Sequence, residues 1–122
     1  MVEPEARRLY CIVREDLPPG LRAAQAGHAI ADTCLLWERE AWEWTTRGNY
    51  LIILGVPDLE SLSAAWGRVL QMEVPASIFE EPDLGGEATA IACLPPPEMN
   101  AAFADLPLAY AKRRRWWPPL LG

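Results

Sequence analysis

The segment Tyr50-Leu51-Ile52-Ile53-Leu54-Gly55-Val56 carries no charge and no alternation of polar with apolar side chains. Successive side chains of a strand point to opposite faces. A run that is apolar at every position therefore needs hydrocarbon on both sides, the environment of a sheet lying between helices. Leu9-Tyr10-Cys11-Ile12-Val13 and Ala88-Thr89-Ala90-Ile91-Ala92-Cys93-Leu94 have the same character. Three such runs in 122 residues predict one doubly covered sheet around a single core.

The intervening segments supply the covering helices. After the Pro18-Pro19-Gly20 break, residues 21–37 are alanine-rich and free of proline, which predicts a helix of about 16 residues. Its first turns are nearly all small, so its backbone can lie close to a sheet. A second helical piece covers about 38–46 and ends where Gly48 can cap it. Pro57-Asp58 opens a third, with Asp58 as N-cap and Leu59, Leu62, Trp66, Val69 and Leu70 at helical spacing. Residues 76–80 form a third strand, 81–86 a turn and 88–94 a fourth strand, before Pro95-Pro96-Pro97 closes the unit.

The predicted order is β-α-α-β-α-β-β, an α/β fold: a small mixed four-stranded sheet with helices on both faces. The two helical crossovers imply parallel pairing and right-handed connections. The short last link implies a reversal of direction. Residues 1–97 make the α/β domain and 98–122 a C-terminal helical extension, with a short helical stretch near 98–104 and a break at Pro107. The run Lys112-Arg113-Arg114-Arg115-Trp116-Trp117 suits either a helix end packed on the domain or an arm reaching RNA or a partner subunit.

Charge narrows the function classes. Seventeen acids against 11 bases give a net charge of −6, which disfavours general nucleic-acid binding, since affinity for phosphate backbones comes from cations displacing counterions. The bases are unevenly placed. Lys112 is the lone Lys, and it opens the four-cation run. No stretch has the length of a membrane span, and the start lacks the apolar region of a signal peptide, so a cytoplasmic protein is expected. Cys11, Cys34 and Cys93 are odd in number and not in metal-ligand spacing. They read as buried small hydrophobes, and neither a metal nor a cofactor is expected.

Ligands of open α/β sheets bind beyond the carboxyl ends of parallel strands. Two segments converge there: residues 14–22, with Arg14, Asp16 and Arg22, and the acidic turn 80–87. Gln25 and His28 stand three apart on the small-residue helix, on neighbouring turns. Their bland reading is a pair of internally hydrogen-bonded side chains, as a solvated loop is for the turn. In the functional reading Glu81 or Asp83 meets the helix and orients a water. Thr89 adds a hydroxyl, and Gly85-Gly86 gives the turn its freedom.

Arg14-x-Asp16-Leu17 followed by Ala23-Ala24-Gln25-x-x-His28-Ala29 resembles the signature of type 2 peptidyl-tRNA hydrolases, the archaeal and eukaryotic type, as a divergent, bacterial-looking member. Thr89-Ala90-Ile91-Ala92 is similar to the family's last strand, and the match spans about 8–96. The resemblance implies a compact, often dimeric α/β sandwich. It also implies hydrolysis of the ester joining a peptide to the 3′ end of tRNA, without metal or cofactor. Catalysis then falls to Gln25, His28, Asp83 or Glu81, and Thr89. Arg14, Asp16, Arg22, Gly85 and Gly86 fall at the substrate. The family's loop lysine is absent, with Leu21 in its place and Arg22 the nearby cation. That departure opens the alternative of a catalytically inactive member serving as a binding protein.

Overall fold

The computed structural model describes residues 6–110. Its elements are β1 (Arg8–Arg14), α1 (Pro19–Leu36), α2 (Glu38–Thr46), β2 (Tyr50–Val56), α3 (Leu59–Met72), β3 (Ala76–Glu81) and β4 (Glu87–Cys93). Single 3-10 turns at Pro82–Leu84 and Pro97–Met99 complete the order. Helix α1 starts at the second proline of the break, because proline's fixed φ suits the first helical turn. Asp58 caps α3 as expected, its carboxylate accepting from Ser61 N–H at 2.9 Å.

The sheet order is β2-β1-β4-β3, mixed in direction. β1 runs parallel to β2 and antiparallel to β4, and β4 runs antiparallel to β3. The crossover through α3 thus does not deliver β3 beside β2. It carries β3 to the far edge, parallel in sense to β1 and β2 but paired to β4 alone. As a result the carboxyl ends of β1, β2 and β3 and the amino end of β4 lie at one end of the sheet.

Alternation in β1 and β4 builds two cores. Leu9, Cys11, Val13, Ala90, Ala92 and Leu94 pack against Ala26 and Ala29 of α1 and Ala41 and Trp44 of α2. Tyr10, Ile12, Ile91 and Cys93 pack against Leu62, Ala65 and Val69 of α3. The small stripe of α1 brings its backbone onto the strands: Thr33 Oγ1 donates to Ala92 O at 3.2 Å, and Cys11 Sγ lies 4.0 Å from Ala26 O.

Strand β2 corrects one expectation. It is covered on both faces only in its second half, and Tyr50 and Leu51 are 57% and 45% exposed. It is an edge strand, and the helices converge on the central β1–β4 pair rather than on its amino end. The stretch 98–104 folds as successive i→i+3 turns, with Phe103 buried in the α3 core. Leu108 then bridges Leu54, and Ala109 N–H bonds Ile53 O at 2.9 Å, covering part of the β2 edge. The run 112–117 lies outside the described residues.

Candidate active site

Helix α1 packs across β3 and β4, its second turn near the end of the sheet where β3 finishes and β4 begins, and this juxtaposition makes a polar relay. Thr89 Oγ1 donates to Gln25 Oε1 at 2.5 Å. Gln25 Nε2 donates to Glu81 Oε1 at 2.8 Å. Glu81 Oε2 accepts the Asp83 backbone N–H at 3.1 Å. The amide orientation follows from its neighbours: a carboxylate can only accept, so the NH₂ faces Glu81 and the carbonyl faces the hydroxyl. Gln25 and Thr89 are buried, while Glu81 stands at the edge of solvent. The Asp83 N–H and the Gln25 amide together hold the Glu81 carboxyl below its usual range. Each oxygen retains a lone pair for a further donor such as water.

His28 sits one turn beyond Gln25 but is exposed, its ring stacked on Phe79 with centroids 4.6 Å apart. Gln25 turns inward and His28 lies on the rim. The two acids of the turn are placed differently. Glu81 meets the helix, whereas Asp83 is exposed and reaches the relay only through its backbone. Gly85 and Gly86 adopt φ of 68° and 83° to reverse the chain into β4, a conformation that costs other residues about 1–2 kcal/mol.

Arg14 and Arg22, both expected at the substrate, make hydrogen bonds inside the fold. Arg14 makes a two-pronged pair with Asp16, Nε to Oδ1 at 3.0 Å and Nη2 to Oδ2 at 2.8 Å. Its Nη1 bonds Glu87 Oε1 at 2.7 Å and Ala88 O at 3.1 Å. Arg22 is 4% exposed and clamps the loop before α1, with Nε and Nη2 on Leu17 O and Nη2 also on Glu15 O. Tyr110 closes over it, ring centroid 4.8 Å from the guanidinium carbon. The donors of Arg22 thus bind loop carbonyls.

Residues 7–106 match the family model described as Peptidyl-tRNA hydrolase PTH2. The chain belongs to that family. A curated relative named "Peptidyl-tRNA hydrolase", from Sulfurisphaera tokodaii, is 27% identical over 86 residues, covering 62% of this chain and 71% of the relative.

In this PTH2 chain the cysteines sit apart from the relay. Cys11 and Cys93 are fully buried, and burial pushes both thiols up to about 12. Neither presents a thiolate nucleophile at neutral pH. Among the described residues no group of three or more His, Cys, Asp or Glu side chains is placed to hold a metal ion, and no helix is long and apolar enough to cross a membrane.

Three contributors escaped sequence reasoning: Phe79, which props His28; Glu87, which completes the Arg14 clamp; and Tyr110. Only Glu87 had a signal, as one of the turn's acids. The clamp has a pH consequence. The Arg14 hydrogen bonds hold Asp16 below its ordinary carboxyl value. Its contribution is present above about pH 4 and is lost as pH falls through the lowered value. In acid titrations followed by circular dichroism, Asp16→Asn makes stability flatter below pH 4 than in the parent chain.

Proposed function

We propose that this chain hydrolyses the ester between a peptide, or a related acyl group, and the 3′ end of tRNA, using only protein groups to direct a water. The observation that carries the reading is the relay from buried Thr89 through Gln25 to Glu81. A buried amide, held at its oxygen by Thr89, turns its NH₂ onto one carboxylate at the edge of solvent. Glu81, held ionised, binds and polarises the attacking water. A lowered basicity makes it an orienting group that draws off the proton only as the bond forms. His28, exposed on the rim, is assigned to the leaving ribose oxygen. Thr89 and Gln25 are positioning residues here.

The test is release of labelled acyl group from N-blocked aminoacyl-tRNA by the purified chain. The rate is expected to hold through the ordinary carboxylate range on acidification. It falls only at lower pH, because a depressed pKa keeps Glu81 charged until then. Absence of release at micromolar protein overturns the proposal. A second reading, a non-catalytic tRNA- or protein-binding member, is favoured by Leu21 in the lysine position and by the internal engagement of Arg14 and Arg22. It is distinguished by tRNA binding without release.

A further inference from the structure

In the proposed reaction a water held by Glu81 attacks the ester carbon, so the ribose that carries the ester lies against Glu81. The base of that nucleotide is one sugar ring away. Two aromatic side chains flank this spot. Phe79 stands two residues before Glu81 on β3, about 7 Å along the strand. It faces α1, since it packs against the core beneath that helix. His28 stands three residues after Gln25, about 4.5 Å along the α1 axis. The two rings are stacked, with centroids 4.6 Å apart and planes 23° from parallel. Phe79 O accepts from Thr89 Oγ1 at 3.4 Å, which ties the backbone under the stack to the relay.

The stack is open on one side. Phe79 is half-buried and backed by the core, while His28 is exposed. The exposed helix neighbours of His28 include Ala24, Gly27 and Ala31, whose side chains are too short to overhang the imidazole. A Cβ added at Gly27 would meet nothing within 4 Å. A ring with a filled inner face and an open outer face suits a flat π-system, and every nucleobase has one. Other rings stand elsewhere. Tyr50 begins β2, and Trp37 donates to Ala76 O at the start of β3, so both mark the far end of the sheet. Tyr110 lies on Arg22, a turn before Gln25. We infer that the outer face of His28, backed by Phe79, is the stacking platform for the 3′-terminal adenine of tRNA, while the ring edge serves the ribose oxygen; the identity of the ligand rests on the proposed function.

His28 is the single histidine of the chain, so its ring C–H resonances are assigned in a proton NMR spectrum without further variants. Titration with the RNA trinucleotide CCA, the common end of tRNA, moves them upfield, as a base lying over the ring requires. The same fragment with an abasic 3′ nucleotide moves them less and binds more weakly. His28→Ala weakens CCA binding about 5–150-fold, the range for loss of one stacked base, and brings it to the level of the abasic fragment. His28→Phe keeps the affinity, because a phenyl ring stacks without donating. In acyl release, His28→Phe leaves KM near that of the parent and lowers kcat, whereas His28→Ala raises KM as well. Thermal midpoints of both variants stay near that of the parent, since the side chain is exposed. Resonances unmoved at millimolar CCA, equal shifts from the intact and abasic fragments, or equal losses of affinity in the two variants overturn the inference even if hydrolysis stands. Upfield shifts and retained affinity in His28→Phe, for a chain that releases no acyl group, support it and overturn the hydrolase reading instead.

Discussion

Glu81→Gln lowers acyl release from N-blocked aminoacyl-tRNA by about 10²–10⁴-fold, the scale of a positioned acid–base group, while Asp83→Asn changes it little. The substitution conserves shape. A Gln at 81 can turn its carbonyl toward Gln25 Nε2 and keep the 2.8 Å hydrogen bond, but its NH₂ then faces the Asp83 N–H and that bond is lost, so the thermal midpoint falls modestly. What disappears is the negative charge that polarises water. Asp83 has no such place, since its side chain is exposed and only its N–H touches the relay. Equal losses from the two substitutions, or a larger one from Asp83→Asn, would show that the wrong carboxylate has been assigned. Gln25→Ala belongs in the same series. It removes the amide that orients Glu81 and leaves the Thr89 hydroxyl buried beside a cavity, so a rate loss there accompanies a stability loss.

Leu62→Ala destabilises the fold by about 2–5 kcal/mol, a large share of the roughly 5–15 kcal/mol that holds a domain together. Leu62 is fully buried in the α3 core beneath the β1–β4 strands, where its removal leaves a cavity. Leu70→Ala on the same helix changes stability by less than about 0.5 kcal/mol, because that side chain is 58% exposed. In urea unfolding the first variant shifts the midpoint with the slope unchanged, and the second leaves both in place. Similar effects at both positions would mean that α3 does not present the Leu62 face to the sheet.

Helix α3 and the strand that follows it show where reading along the chain stops. The spacing of Leu59, Leu62, Trp66 and Val69 specified a helix and its buried face without any partner being known, since 3.6-residue periodicity is a local property. Asp58 as cap and Gly48 with positive φ after α2 were legible for the same reason. Which strand β3 would join was not. A long crossover tells only that the next strand can be parallel in sense, and the position at the β4 edge depends on which pairings bury the most side chain. The exposed amino half of β2 follows from that choice too: its residues are as apolar as those of β1, but an edge receives less cover.

The candidate site divides along the same line. Gln25, His28 and Thr89 were visible as polar groups in unusually small or apolar surroundings, and the acidic turn was visible by composition. That Glu81 rather than Asp83 meets Gln25 depends on strand alternation at the end of β3 and on the 3-10 turn that follows it. The engagement of Arg14 and Arg22 depends on carbonyls and carboxylates up to 74 residues away along the chain. The primary structure alone determined the covered sheet, the helices and their buried faces, because hydrophobic periodicity and capping act over a few residues. Only the tertiary structure decided the strand order, which carboxylate meets Gln25 and the occupation of the arginines, because each is a contest between distant groups for the same few ångströms of space.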